Sequence, residues 1–328
     1  MVIHPIFFSY SKKESEEGGV LAIIVNPKQI YTYEQMKEDI IKLEKKYTDI
    51  ILSERIGNSV DGRKIYALRV GTGKTEIFMN GSHHAREWLT TNLLMNMIED
   101  YCESFVNHTK IGDYFPGDIL TEASIWFVPM VNPDGVTLVQ KGHSSAKKPE
   151  EVLKLNNYNH DYSSWKANIR GVDLNRQYPA GWATLDDNVT RPGPMMYKGP
   201  SPLSEPETKA VYNFTLHHDF KIAVAYHSSG EELFWKYKSK GELLKTTKRI
   251  AEKISEKTGY QLVYPGPNPS GGGFTDWFLD FIKRPGFTPE ISPLVGPRPV
   301  PLKNYDKIWN DNREIGLLLA SEALLIKK

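Results

Sequence analysis

Cysteine is almost absent from this chain. Cys102 is the single one among 328 residues, so an intrachain disulfide is impossible and a thiolate-based zinc cluster is excluded. Any bound metal must use His, Asp or Glu. An excess of charge of one sign is also missing: 41 Lys and Arg face 40 Asp and Glu, a formal net charge of +1. That balance gives no electrostatic reason to expect nucleic acid or an anionic membrane as partner. No apolar run reaches membrane-spanning length, and MVIHPIFFSYSKKESEEGG has neither a basic leader nor a small-residue cleavage site. A cytoplasmic location is expected on that ground, or an extracellular or spore-associated one if the chain has been cut from a longer protein. No G-x-S-x-G is present, which disfavours a serine hydrolase. GTGKT imitates a phosphate loop, but Leu68 stands where that motif needs its first glycine.

What is present is an ordinary globular composition, 40% hydrophobic and 25% charged. Residues 1–30 read as an N-terminal extension with a short strand-like LAIIV, and 31–328 as the main domain. From Tyr31, the apolar residues Met36, Ile40, Ile41, Leu43 and Tyr47 fall near helical spacing. KIYALRV and TEIFMNG are strands, joined by GTGK in an expected hairpin. TTNLLMNMIEDYCESFV is a helix and SIWFVPMV a buried strand, followed by a long polar loop over 141–170. Ser204, with Glu207 three residues on, predicts a capped helix. IAVAYHSS and GFTPEI are strands, KGELLKTTKRIAEKISEKTG is a helix, and NYDKIWNDNREIGLLLASEALL closes the chain as another. Strands alternate with helices without internal repeats, which points to one α/β domain.

The chemistry centres on His84 and Glu87. They lie at i and i+3 just after an apolar strand, where a turn aims both side chains at one point. Zinc accepts imidazole nitrogen and carboxylate oxygen, and a catalytic zinc needs a third ligand and an open position. His227, ending the strand IAVAYH, is placed to be that ligand. His83 competes for the role, but His84 has the better spacing to Glu87.

Six segments occur in order: GSHHAREWLT, VNPDG, GVDLNR, AYHSSGEELFW, GGGFTDW and GFTPEI. Together they resemble the zinc carboxypeptidase family, from about Tyr31 to the last helix. The resemblance implies a single α/β domain with a twisted mixed sheet of about eight strands and helices on both faces. It implies one Zn2+ per chain on His84, Glu87 and His227, with Glu290 as the catalytic carboxylate. Asp173 corresponds to a residue that hydrogen-bonds the first zinc histidine, Asn175 and Arg176 to a pair that binds a substrate carboxylate, and Arg86 to a substrate contact.

The pocket departs from the digestive members. Lys166 stands where they carry the arginine that stabilises the oxyanion, with Arg170 available to share or replace that role. Asn268 occupies the position of their mobile capping tyrosine, and Tyr264 lies four residues earlier. Thr275 falls at the base of their side-chain pocket, where threonine is neither an acid for basic residues nor a large apolar floor. WKANIRGVDLNRQYPAGW, FTDWFLDF and KRPGFTPEI are more similar to the bacterial γ-D-glutamyl-L-diamino acid endopeptidases. The implied substrate is a peptidoglycan peptide cut between γ-D-glutamate and diaminopimelate. Arg176, where those endopeptidases can carry an acid, keeps an ordinary metallocarboxypeptidase open. A zinc-containing binding protein without catalysis is the reading from another class, and retention of Glu290 argues against it.

Overall fold

The computed structural model describes residues 23–185, 188–266 and 271–326. Asn268 lies outside the described residues. The architecture is an eight-stranded mixed sheet between two helical layers. The strands are β1 (Ile51–Asn58), β2 (Lys64–Val70), β3 (Thr75–Gly81), β4 (Ala123–Val128), β5 (Ala223–Ser228), β6 (Glu232–Phe234), β7 (Gln261–Val263) and β8 (Gly286–Ile291). They lie in the order β1-β2-β4-β3-β5-β8-β6-β7. The central four, β4, β3, β5 and β8, run parallel to one another, while β2 and β6 join them antiparallel.

Side chains alternate across the pleat, so each strand feeds both faces. Ile77, Met79, Val224 and Tyr226 enter one core, under α1 (Tyr33–Lys46), α2 (Leu89–Val106), α7 (Gly241–Thr258), α9 (Tyr305–Asn312) and α10 (Ile315–Leu325). Phe78, Ala223 and Ala225 enter the other, under α6 (Pro206–His217) and the short α8 (Phe274–Trp277). Of the remaining helices, α3 (Pro116–Glu122) leads into β4, while α4 (Pro133–Lys141) leads into the 141–170 segment, where α5 (Pro149–Leu155) lies. No helix among the described residues is long and apolar enough to cross a membrane.

The expected hairpin does not form. β4 lies between β2 and β3, and the GTGK turn instead packs on the backbone that enters β4. Thr72 N donates to Leu120 O at 2.8 Å, and a Cβ on Gly73 would sit 1.9 Å from the Glu122 carbonyl carbon. The Ser204 cap is also absent: α6 begins at Pro206 after Glu205, and the Ser204 hydroxyl donates to Gln177 Oε1. Glu207 is turned inward to accept from Val60 N at 3.0 Å. The closing helix is two helices. The Tyr101 hydroxyl enters the break, donating to Arg313 O at 2.7 Å and accepting from Gly316 N at 3.1 Å. The 141–170 loop contains α5, and Ile41 points outward from α1 at 66% exposure. Residues 23–25 form no strand, but Val25 is buried and both Ile24 N and Val25 N donate to the Glu99 carboxylate, which fastens this segment to α2.

Candidate active site

The first metal segment leaves β3 through Ser82, whose φ of 54° turns the chain sharply. His83 and His84 follow, then a single 3-10 turn, Ala85–Glu87, that runs into α2. Ala85 N donates to Lys166 O and Arg86 N to Trp165 O, each at 3.0 Å. The turn is thus pinned to the loop that carries Lys166. His227 comes from the penultimate position of β5, between β3 and β8, with Glu290 of β8 opposite it in register. These are central parallel strands, and the side chains gather at their carboxyl ends, where open α/β sheets place ligands.

His84, Glu87 and His227 converge in a buried cluster whose donor atoms all lie within 4.8 Å of one another. His84 Nδ1 is 2.9 Å from Glu87 Oε1, His227 Nδ1 is 2.8 Å from Glu87 Oε2, and the two Nδ1 atoms are 3.1 Å apart. His84 Nε2 donates to Asp173 Oδ1 at 3.1 Å, which leaves Nδ1 as the ring atom that faces the cluster. Two imidazole nitrogens and a carboxylate brought this close in a buried site suit a shared cation. Tetrahedral zinc with bonds of about 2.0 to 2.1 Å spaces its ligands by about 3.3 Å, close to the separations found here. The donor set therefore fits Zn2+. His83 is not part of it: its Nε2 pairs with the Tyr178 hydroxyl at 2.9 Å, and burial holds its pKa well below the usual histidine value.

The surroundings fix this geometry. Burial opposes charge on Asp173, but His84 and Lys166 outweigh it and hold the carboxyl far below its usual range. Asp173 also accepts from Asn175 N at 3.2 Å and Met196 N at 3.1 Å. Asn175 Oδ1 accepts from Phe274 N at 3.0 Å, locking the GVDLNR turn to the glycine-rich loop. Gly272, at φ +83°, passes 3.1 Å from the Arg176 backbone measured from where a Cβ would stand, a close approach that favours glycine. Glu290 is raised well above the usual carboxyl range, first by burial and then by the nearby Glu87 charge.

Two cavities meet at Glu290. One, of about 400 Å³, is lined by Asn175, Thr275, Thr288, Asp276, Lys236 and Trp235, among others. Thr275 and Thr288 share a 2.6 Å hydroxyl hydrogen bond on its wall. The other, of about 310 Å³, holds Arg86, Lys166, Ser228, Glu232 and Leu294. Lys166 Nζ is 3.4 Å from Glu87 Oε1. Arg170 lies elsewhere, beside Glu205 at 3.6 Å and on the wall of a third cavity formed with Lys147, Lys154 and Arg191. Arg176 lies beside Asp173, Nε to Oδ2 at 3.9 Å, and donates to Met196 Sδ. Tyr264 is exposed, edge-on to Trp235. Sequence reasoning missed Thr288 and Asp276. Thr288 was accessible, since it lies two residues before Glu290 on the same face of β8.

The fold and this donor set define a zinc metallopeptidase. The chain belongs to the zinc carboxypeptidase family, whose sequence model matches residues 36–295. It is 35% identical over 299 residues to gamma-D-glutamyl-L-diamino acid endopeptidase 1 of Lysinibacillus sphaericus, covering 90% of this chain and 73% of that protein. Solved structures share the fold. Thrombin activatable fibrinolysis inhibitor matches with a TM-score of 0.72 at 19% identity, over 91% of this chain and 78% of that one. The carboxypeptidase A of Helicoverpa armigera matches with a TM-score of 0.66 at 18% identity, over 91% and 74%.

Proposed function

We propose that the catalytic domain, residues 31–328, hydrolyses the amide bond between γ-D-glutamate and the diamino acid of peptidoglycan peptides. The observation that carries this reading is the 35% identity, over 90% of the chain, to an endopeptidase named for that bond. The larger cavity supports it. Diaminopimelate ends in both an ammonium and a carboxylate, and the lining of the cavity includes an acid, Asp276, and a base, Lys236, together with the neutral Thr275 and Thr288.

Zinc held by His84, Glu87 and His227 would polarise the scissile carbonyl and lower the pKa of water. Glu290 takes the proton of the attacking water and delivers it to the leaving amine. Its raised proton affinity suits a group that must hold the proton between those two events. Lys166 stabilises the developing oxyanion, a role that falls to it because it lines the cavity at Glu290 while Arg170 lines a separate one. Asn175 and Arg176 hold the carboxylate on the amine side of the bond, Arg176 through paired charge-assisted hydrogen bonds. Asp173 keeps His84 in the tautomer that turns Nδ1 inward.

Removal of C-terminal residues from α-linked peptides is the second reading, favoured by Arg176, which is equally suited to a free terminal carboxylate. Incubation with L-Ala-γ-D-Glu-diaminopimelate and with α-linked peptides, followed by mass spectrometry, separates the two. Cleavage of the γ-linked peptide is expected. Turnover confined to the α-linked peptides would establish the carboxypeptidase reading instead.

A further inference from the structure

Linkage through the γ-carboxyl leaves the α-carboxylate of D-glutamate free on the acyl side of the scissile bond. It is separated from the scissile carbonyl only by the Cα and two methylenes. An α-linked residue presents no carboxylate from its own backbone there. An enzyme that distinguishes the two linkages therefore gains from a cation on the acyl side, because every γ-linked D-glutamate carries that charge, whereas an α-linked residue carries one only when its own side chain is acidic.

With the amine-side carboxylate at Asn175 in one cavity, the acyl side falls to the other cavity at Glu290, which offers two cations, Lys166 and Arg86. They are not equivalent. The Lys166 ammonium is 3.4 Å from Glu87 Oε1, so its charge is already opposed by the carboxylate of the metal cluster. Arg86 makes no ion pair among the described residues. Its Nη1 donates to the Ser164 carbonyl at 3.2 Å and its backbone N to Trp165 O at 3.0 Å, which orients the side chain while leaving the rest of the guanidinium fork unspent. Glu87, Glu290 and Asp173 contribute to the field around Arg86 but stand beyond ion-pair distance, as does Glu232 on the facing strand β6. A partly buried, oriented guanidinium without a carboxylate partner, beside the catalytic cleft, is built to receive one.

We propose that Arg86 binds the free α-carboxylate of the γ-linked D-glutamyl residue and so selects γ- over α-linkages. This rests on the peptidoglycan reading above and adds to it the group that is recognised. Arg176 and Asn175 then hold the carboxylate on the amine side and Arg86 the one on the acyl side, with the scissile amide between them at Glu290.

The test pairs one substrate change with one residue change. Wild-type enzyme is assayed on L-Ala-γ-D-Glu-diaminopimelate and on its D-isoglutamine counterpart, in which the α-carboxylate is a carboxamide and the γ-linkage is intact. The carboxylate form should be preferred in kcat/KM by about 10- to 100-fold, the range of one charge-assisted pair. Arg86→Gln should bring that ratio close to one, and Arg86→Lys should leave it intermediate, since lysine keeps the charge and loses the fork. Zinc content is measured on each variant, and Arg86→Lys serves alone if Arg86→Gln does not fold. A wild type indifferent to the change, or an Arg86 variant that keeps the full preference, overturns the assignment. A wild type that cuts neither γ-linked peptide but does cut α-linked ones removes the peptidoglycan reading itself, and this assignment with it.

Discussion

His227 and Glu290 stand opposite one another in the parallel β5–β8 ladder. One backbone register thus places a histidine of the candidate metal cluster beside the carboxylate proposed to move the proton. The two strands are hydrogen-bonded neighbours within the sheet, so the spacing is set by a strand ladder rather than by a loop. Glu290→Gln keeps the size and loses the base. Zinc should stay at one per chain by elemental analysis while kcat falls at least about 10³-fold, and near-normal turnover would remove Glu290 from the mechanism.

Asp173 acts through His84. Replacing it with Asn leaves a side chain of the same shape that no longer fixes the imidazole as a carboxylate does. Affinity for zinc, measured by competition with a chromogenic chelator, should drop about 10- to 100-fold. Unchanged affinity would show that the 3.1 Å contact contributes nothing to metal binding.

Lys166 can be tested by the direction of rescue. Lys166→Met should lower kcat about 10²- to 10³-fold with a smaller change in KM, because an oxyanion contact strengthens in the transition state. Lys166→Arg, which restores the residue of the digestive enzymes, should recover much of that loss. Equal losses in both variants would point to packing instead of charge.

Glu207 carries a pH signature remote from the chemistry. Burial pushes its carboxyl up from 4.5 to about 8, with the charges of Asp134 and Glu205 adding to the effect. The native state then retains a proton that the unfolded chain has released. The stability this group contributes is full below pH 4.5 and is lost as pH rises through about 8. The slope within that window is about 1.4 kcal/mol per pH unit at most. Glu207→Gln should be flat by comparison, so its denaturation midpoint should gain on the wild type between pH 4.5 and about 8. A constant difference would contradict the assignment.

Much of the site was legible in the sequence because its determinants are local. The His84–Glu87 spacing survives as one 3-10 turn, and His227 and Glu290 both sit where strand-like runs end. What was not legible depends on partners far along the chain. The β2–β3 hairpin failed because β4, some fifty residues later, pairs with both strands and α3 supplies acceptors for the GTGK turn. Ser204 left its capping role for Gln177, and Tyr101 split the last helix from a helix more than two hundred residues away. Lys166 and Arg170 were indistinguishable in a short polar stretch, and only the fold turns one toward Glu87 and the other toward Glu205.

The most direct measurement is a competition between two isomers in one vessel: L-Ala-γ-D-Glu-diaminopimelate, and the same peptide joined through the α-carboxyl of D-glutamate. Products are resolved by chromatography as a function of time, with and without a zinc chelator. Zinc-dependent release of diaminopimelate from the γ-isomer, well ahead of the α-isomer, is the predicted result. Preferential cleavage of the α-isomer, or release that persists after the metal is removed, would contradict the account.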